Sequence, residues 1–271
     1  MAVMSKRKVD IKRFKKKIRK HWEITDNGPI NWFLGFEIKQ NRKNKTLAIN
    51  QWAYIVNLTE KFRLTNAKPI HVPMDPNVTY SNQQSPTTPN QVACMRGVPY
   101  NEAIGGVLWP VVVLRPDIGY TVGILSQFIQ NPGQTHWEAL KWVISYLNTT
   151  KDLWLTFGGG SKLLIEGFCN VDWVGQKDQH SILGYLFFFG QGIVSWSSKK
   201  QHIIVLSSME LEYIAQTHAT KEALWLRSFI NEIWGPVRGH PLKLIPITKS
   251  DAPTPTFYIP PHHRQIQEES R

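Results

Sequence analysis

Ten of the first 20 residues are basic and one is acidic. Lys6, Arg7, Lys8, Lys12, Arg13, Lys15, Lys16, Lys17, Arg19 and Lys20 form a cluster that suits a run of phosphates. Such a cluster binds nucleic acid by releasing condensed counterions, whatever the base sequence. Trp32 and the lysines just after it would extend the grip. The other readings of this head are a solvated charged helix and a nuclear import signal. The rest of the 271-residue chain holds 22 Lys+Arg against 19 Asp+Glu, so most of the formal +12 lies in the head. Other chemistries are poorly served. Two cysteines, Cys94 and Cys169, exclude a disulfide framework or a multi-cysteine zinc site. Cys169 reads as a buried strand residue. His262–His263 has no third ligand beside it. Gly158–Gly160 lacks the lysine of a phosphate-cradling loop.

The elements that must carry these residues follow from apolar spacing. Residues 6–22 read as a basic helix with Val9, Phe14, Ile18 and Trp22 as a rough apolar stripe. Trp32–Ile38 and Thr46–Ile49 read as two strands of a hairpin around Asn41–Lys45. Gln51–Leu64 has helical spacing. Pro69–Pro99 is rich in Pro, Asn, Gln, Ser and Thr and predicts a long irregular loop or linker. Pro110 should end or kink the helix that follows. Asp117–Gln130 and Gln134–Leu147 are two more helices, and Gly158–Ser161 marks a boundary. Beyond it come three strands, Leu163–Trp173, Ile182–Phe189 and Ile193–Ser197. A long helix over Ser207–Trp234 follows, with Ser207 and Glu210 as its capping box, and then a strand over Leu242–Thr248. The helix should pack through Leu211, Ala215, Ala219, Leu226 and Ile230. No apolar run approaches the roughly 18–20 residues of a membrane helix, and residues 1–20 lack the apolar stretch of a signal peptide. An intracellular chain with no membrane partner is expected.

The fold class expected is mixed α/β (α+β), and the β-β-β-α-β order over 163–248 is that of an RNase H-like domain. That fold gathers carboxylates around two divalent cations, which clamp a scissile phosphate. A closer resemblance lies in FLGFEI (33–38), PYNEAIGGVLW (99–109), RPDIGYTVGILSQF (115–128), HWEALKWVISYLNTTKDLWL (136–155), CNVDWVG (169–175), ILGYLFFFGQGIVSWSSKKQ (182–201) and LSSMELEYIAQTHATKEALWLR (206–227). Together, and in this order, they resemble the Pol polyprotein of copia-type LTR retrotransposons.

The resemblance implies a layout. Residues 1–65 would be the end of a reverse transcriptase, with FLGFEI in a hairpin that helps position the primer. Residues 66–158 would be a thumb and connection region, and 163–271 a shortened RNase H-like domain. The polymerase aspartates of the family lie upstream of FLGFEI and have no counterpart here. The first metal-binding aspartate of the nuclease is matched by Asn170, which supplies an oxygen but no charge. Asp172 lies two residues on, on the same side of a strand. Glu212 matches the catalytic glutamate of the helix; from physics alone it would be an ordinary surface acid. Asp251 matches the next aspartate, followed by Ala252 instead of asparagine. His262–His263–Arg264 resembles a stretch before the family's last helix, which has no match. The implied cofactor is Mg²⁺, with Asp172, Glu212 and Asp251 as its ligands, and the implied partner is an RNA–DNA hybrid or duplex. The implied location is the nucleus or a cytoplasmic particle.

Four readings stand side by side: a catalytically degenerate segment of such a Pol protein, a residual Mg²⁺-dependent RNase H, a non-catalytic nucleic-acid-binding module, and a reading frame with no function.

Overall fold

Leu34 and Gly35 both take left-handed backbone, with φ of 51° and 83°. The run around them therefore cannot stay one straight strand. The structure is a computed structural model that describes residues 3, 5, 7–158, 165–172, 181–201, 207–234 and 242–246. In it β1 (Trp32–Phe33) turns back on β2 (Phe36–Asn41) at these two residues. This corrects the single strand expected over Trp32–Ile38. A two-residue hairpin turn of this kind needs positive φ at its centre, which Gly35 adopts freely and Leu34 at some cost. Next, β2 pairs antiparallel with β3 (Thr46–Asn50), as the hairpin pattern predicts. β3 then takes β4 (Leu155–Gly158) on its other edge, giving a sheet of order β1-β2-β3-β4. Gly158 ends that last pair at φ 91°, where a Cβ would lie 2.1 Å from the Lys45 carbonyl oxygen. The rest of the expected linker lies outside the described residues.

The helices are α1 (Lys8–Arg19), α2 (Trp52–Lys61), α3 (Pro89–Met95), α4 (Tyr100–Val113), α5 (Gly119–Leu125) and α6 (Gln134–Thr149). Ile55 and Leu58 of α2 pack with Ile104 and Val107 of α4, Val122 and Leu125 of α5, and Leu140 and Ile144 of α6 in one core. Short 3-10 turns at Pro116–Ile118 and Ser126–Phe128 flank α5, in place of one helix over Asp117–Gln130. Gly119 and Gly123 weaken any longer helix there.

Of the two outcomes expected at Pro110, an end or a kink, the end does not occur: α4 runs on past Pro110, which is buried within it. A proline leaves the carbonyl four residues earlier without its helical donor. That carbonyl belongs to Gly106, and the Tyr54 hydroxyl donates to it at 2.9 Å. The cost of the proline is thus offset by a side chain from α2. A Cβ at Gly106 would come within 2.6 Å of the Leu58 side chain, so the two helices approach closely here. Tyr54→Phe should cost about 1–2 kcal/mol, because the Gly106 carbonyl then has no donor. The shift of the urea midpoint at unchanged slope measures it.

The Pro69–Pro99 stretch is irregular for much of its length but is no free linker. It contains a 3-10 turn at Asn82–Gln84 and α3, which the composition did not predict. Thr88 and Gln91 form a capping box at the start of α3, and Pro89 takes the first helical position. The stretch and the residues just before it are strapped to α6. Trp142 Nε1 donates to the Val72 carbonyl at 2.8 Å, and Thr149 Oγ1 accepts from the Ile70 amide at 3.0 Å.

At the other end of α6 the imidazole of His136 is fully buried and stacks on Phe128 with ring centres 3.9 Å apart. Its Nδ1 accepts from the Gly133 amide at 2.9 Å, so the ring is held neutral with its proton on Nε2. Burial pushes its pKa below the ordinary histidine value, and the nearby Ser81 backbone offsets this only in part. The unfolded chain therefore binds this proton first on acidification. Stability from His136 is complete above about pH 6.5 and falls as the pH drops below that value. Thermal melts from pH 7.5 to 5 should show this acid loss in the unaltered chain and less of it in His136→Phe.

A second sheet follows: β5 (Ile165–Asp172), β6 (Ile182–Phe189), β7 (Gly192–Lys200) and β8 (Leu242–Pro246), in the order β7-β6-β5-β8. β5 runs antiparallel to β6 and parallel to β8, and α7 (Ser208–Trp234) lies between β7 and β8 in the chain. Leu211, Ala215, Ala219, Ala223 and Leu226 are buried along α7. Ala219, Ala223 and Leu226 meet Ile165, Cys169 and Phe187. The opposite sheet face, with Phe168, Leu186, Phe188 and Ile193, packs on Leu114 and Leu155. Trp196 Nε1 donates across that contact to the Val111 carbonyl at 2.8 Å. Among the described residues no helix is long and apolar enough to cross a membrane.

Candidate functional site

Asn170 lies in β5 opposite Gly184 of β6, two residues after the Phe168–Leu186 pair. Strand alternation puts it on the Phe168 face of the sheet. Cys169 points the other way, into the cluster beneath α7. Glu212 starts α7 as an exposed residue near that thiol. Burial first, and then the Glu212 charge, push the Cys169 thiol up to about 11, so it stays protonated and inert at neutral pH.

Asn170 and Glu212 thus come from adjoining elements but relate to opposite faces of β5. Asp172 ends β5, paired with Ile182. Asp251, and with it His262–His263–Arg264, lies outside the described residues. No group of three or more His, Cys, Asp or Glu side chains that could hold a metal occurs among the described residues. Of the residues matched to the nuclease motif, Asn170 is neutral and Glu212 brings a charge. A pair of Mg²⁺ ions would need several carboxylates to offset its mutual repulsion.

The cationic head folds as expected into a helix, α1, which has no buried residue. Lys8, Lys12, Arg13, Lys16, Lys17, Arg19 and Lys20 are exposed. Arg7 pairs with Asp10 at 2.8 Å, and Lys15 with Asp26 at 2.6 Å. Lys6 lies outside the described residues. The apolar stripe differs from the one read in the sequence. Ile11 and Ile18 are half-buried while Val9 is 63% exposed, and Ile11, Phe14 and Ile18 follow the three-and-four spacing of one helix face.

Trp32 is 52% exposed in β1, opposite Glu37. Glu37 and Lys39 share that sheet face, and the Lys39 ammonium sits 3.9 Å above the Trp154 ring. Lys39 is one of the hairpin lysines grouped with Trp32 in the sequence, but Trp154 was not singled out, because it arrives from over 100 residues away by the pairing of β4.

Residues 1–76 match the family described as reverse transcriptase (RNA-dependent DNA polymerase). The chain is 38% identical over 234 residues to the retrovirus-related Pol polyprotein from transposon TNT 1-94 of Nicotiana tabacum, covering 86% of this chain and 18% of that protein. It is 33% identical over 217 residues to the corresponding polyprotein from transposon RE1 of Arabidopsis thaliana, covering 80% of this chain and 14% of the relative. It is also 45% identical over 133 residues to the secreted RxLR effector protein 161 of Plasmopara viticola, covering 49% of this chain and 94% of that protein. The chain therefore spans less than a fifth of the length of the two polyproteins. No solved structure matches it.

Proposed function

The chain belongs to the retrovirus-related Pol polyproteins of copia-type transposons, and from that premise we propose that it is a reverse transcriptase–RNase H segment whose nuclease centre no longer cleaves. The ancestral task of such a segment is RNA-directed DNA synthesis with removal of the RNA strand of the hybrid. Residues 163–271 would be the RNase H-like part, a reading that the β5-β6-β7-α7-β8 order supports. Residues 1–65 would be the end of the polymerase, and 66–158 the region connecting the two. The observation that carries the proposal is Asn170, a neutral side chain at the motif position of the first metal-binding aspartate. Mg²⁺ is the cofactor such a centre takes, with Glu212, Asp251 and Asp172 as the remaining donors. Without the first carboxylate the hydration of the ion is poorly repaid. Titrating Mn²⁺ into the full chain and following water-proton relaxation tests this. No saturable site should appear at micromolar metal, and Asn170→Asp should create or tighten one. A tight site in the unaltered chain that Glu212→Gln removes would contradict the proposal.

A second capacity is favoured by α1. Six cations stay exposed on a helix that buries nothing, and Lys20 follows at its end, which suits a nucleic-acid backbone, in the nucleus or a cytoplasmic particle. Changing Lys12, Arg13, Lys16 and Lys17 together to glutamine should weaken binding to an RNA–DNA hybrid. It should also flatten the plot of log affinity against log salt by roughly 3–4 units of slope. An unchanged slope would place the contact elsewhere.

A further inference from the structure

The span from Pro73 to Tyr100 is a strap fixed at its ends and held by little in the middle. Upstream, Trp142 Nε1 donates to the Val72 carbonyl and Thr149 Oγ1 accepts from the Ile70 amide. Downstream, the buried Tyr100 donates its hydroxyl to the Leu125 carbonyl at 2.8 Å. Among the described residues between these anchors, all from 74 to 99, Tyr80 is the one buried residue. Its ring centre lies 6.3 Å from that of His136. The turn that follows, Asn82–Gln84, sits against the start of α6: a Cβ on Gly133 would lie 1.9 Å from the Gln84 carbonyl oxygen. The tie from Asn131 Nδ2 to the Pro86 carbonyl is long, at 3.4 Å.

We propose that His136 is an acid-operated latch: protonation of its ring releases the middle of the strap, residues 76–88, from the first turn of α6, while the anchors at Ile70–Val72 and Tyr100 hold. This is a local opening that comes before unfolding, and it does not depend on the nuclease reading. His136 takes the place of the usual glutamate or glutamine in a capping box, three residues after Gly133. Only the neutral ring can accept from the Gly133 amide, because both nitrogens of an imidazolium are donors. Nε2 is buried and has no hydrogen-bond partner among the described residues, with the Ser81 backbone nearby. Nothing around the ring offsets a second proton. Tyr80 is the one titratable side chain of residues 76–88, and residues 126–135 hold none. On α6, Glu138 is exposed and bound to Gln134 and Lys141. On α4 and α5 the titratable groups are Tyr100, Tyr120 and Glu102, and Glu102 is exposed and paired with Lys61. A positive ring would also face the N-terminal end of the α6 dipole. Release uncovers Phe128, on which the imidazole now stacks at 3.9 Å.

Amide hydrogen exchange of the full chain between pH 7.5 and 5, corrected for the intrinsic effect of pH on exchange, tests the latch. The amides to follow are those of Gln84, Ser85, Gly133 and Trp137, each hydrogen-bonded in the closed form. Opening takes up one proton, so their protection should fall by about tenfold per pH unit below about pH 6.5. Amides of α7 and of Ile55–Thr59 should keep theirs. His136→Gln retains an acceptor for the Gly133 amide and has nothing to titrate, so its protection at the four positions should not depend on pH. In the unaltered chain the ring signals of His136 should titrate over the same pH range as the opening. Protection that ignores pH in the unaltered chain would overturn the proposal. So would an acid loss that persists in His136→Gln, or one that reaches α7 to the same extent. Should His136→Gln fail to fold, the ring signals decide: an opening that sets in while the ring stays neutral contradicts the latch.

Discussion

Asp117→Ala will destabilise the chain by about 3 kcal/mol, one of the largest losses expected from a single surface-proximal substitution. The Arg115 side chain is only 7% exposed, and its Nη2 lies 2.7 Å from Asp117 Oδ2. The same guanidinium donates to the Thr150 carbonyl and hydroxyl at 3.2 and 2.6 Å. Tyr146 Oη donates to Asp117 Oδ2 at 2.8 Å. Burial works to raise the Asp117 pKa, but the Arg115 charge and the hydrogen bonds from Arg115 and Tyr146 overcome it and hold the carboxyl below its ordinary range. Removing the carboxylate leaves a buried guanidinium without its counter-charge, and the phenol of Tyr146 without its acceptor. The network ties the end of α4 to the end of α6, just ahead of β4, so the sheet that holds Trp32 should loosen as well. Replacing both partners, Arg115→Met with Asp117→Leu, should restore part of the loss, because no uncompensated charge then remains. Urea unfolding of the three proteins checks the order. Since the folded pKa of Asp117 is depressed, its contribution is complete above about pH 4 and is lost as the pH falls through the folded value.

These tertiary ties explain why some of the fold was readable in the sequence and some was not. α7 could be read because its buried positions, Leu211, Ala215, Ala219, Ala223 and Leu226, recur at three and four residues. β5, β6 and β8 could be read from their β-branched and aromatic runs. The passage of α4 through Pro110 could not, because it depends on the Tyr54 hydroxyl, distant in sequence. α3 was missed although Thr88, Pro89 and Gln91 spell its start, since the surrounding composition reads as loop. The split at Leu34–Gly35 was hidden by the strand-forming residues on both sides. At the site, the motif residues were legible but their relative placement was not. Phe168 and Cys169 are both buried, so β5 is covered on both faces, and alternation carries no sign of which face meets α7. For that reason the sequence could not say that Asn170 shares the Phe168 face while α7 covers the Cys169 face.

The second large effect is a catalytic one. On the proposed reading, in which Asn170 stands where a metal-binding carboxylate would be, Mg²⁺-dependent hydrolysis of the RNA strand should be lower by several orders of magnitude than with the carboxylate. A metal held there would supply water activation and charge stabilisation, and the neutral Asn170 would hold it poorly. Asn170→Asp should recover metal affinity before it recovers rate, because the carboxylate must also lie within reach of Glu212 across β5. The most direct measurement is cleavage of an end-labelled RNA–DNA hybrid by the full chain, with Mg²⁺ and with Mn²⁺, beside Asn170→Asp and Glu212→Gln. The account predicts that the unaltered chain and Glu212→Gln both leave the RNA strand as intact as a protein-free control does. Metal-dependent cleavage by the unaltered chain that Glu212→Gln abolishes would contradict it, and would show that a complete centre forms without a carboxylate at position 170.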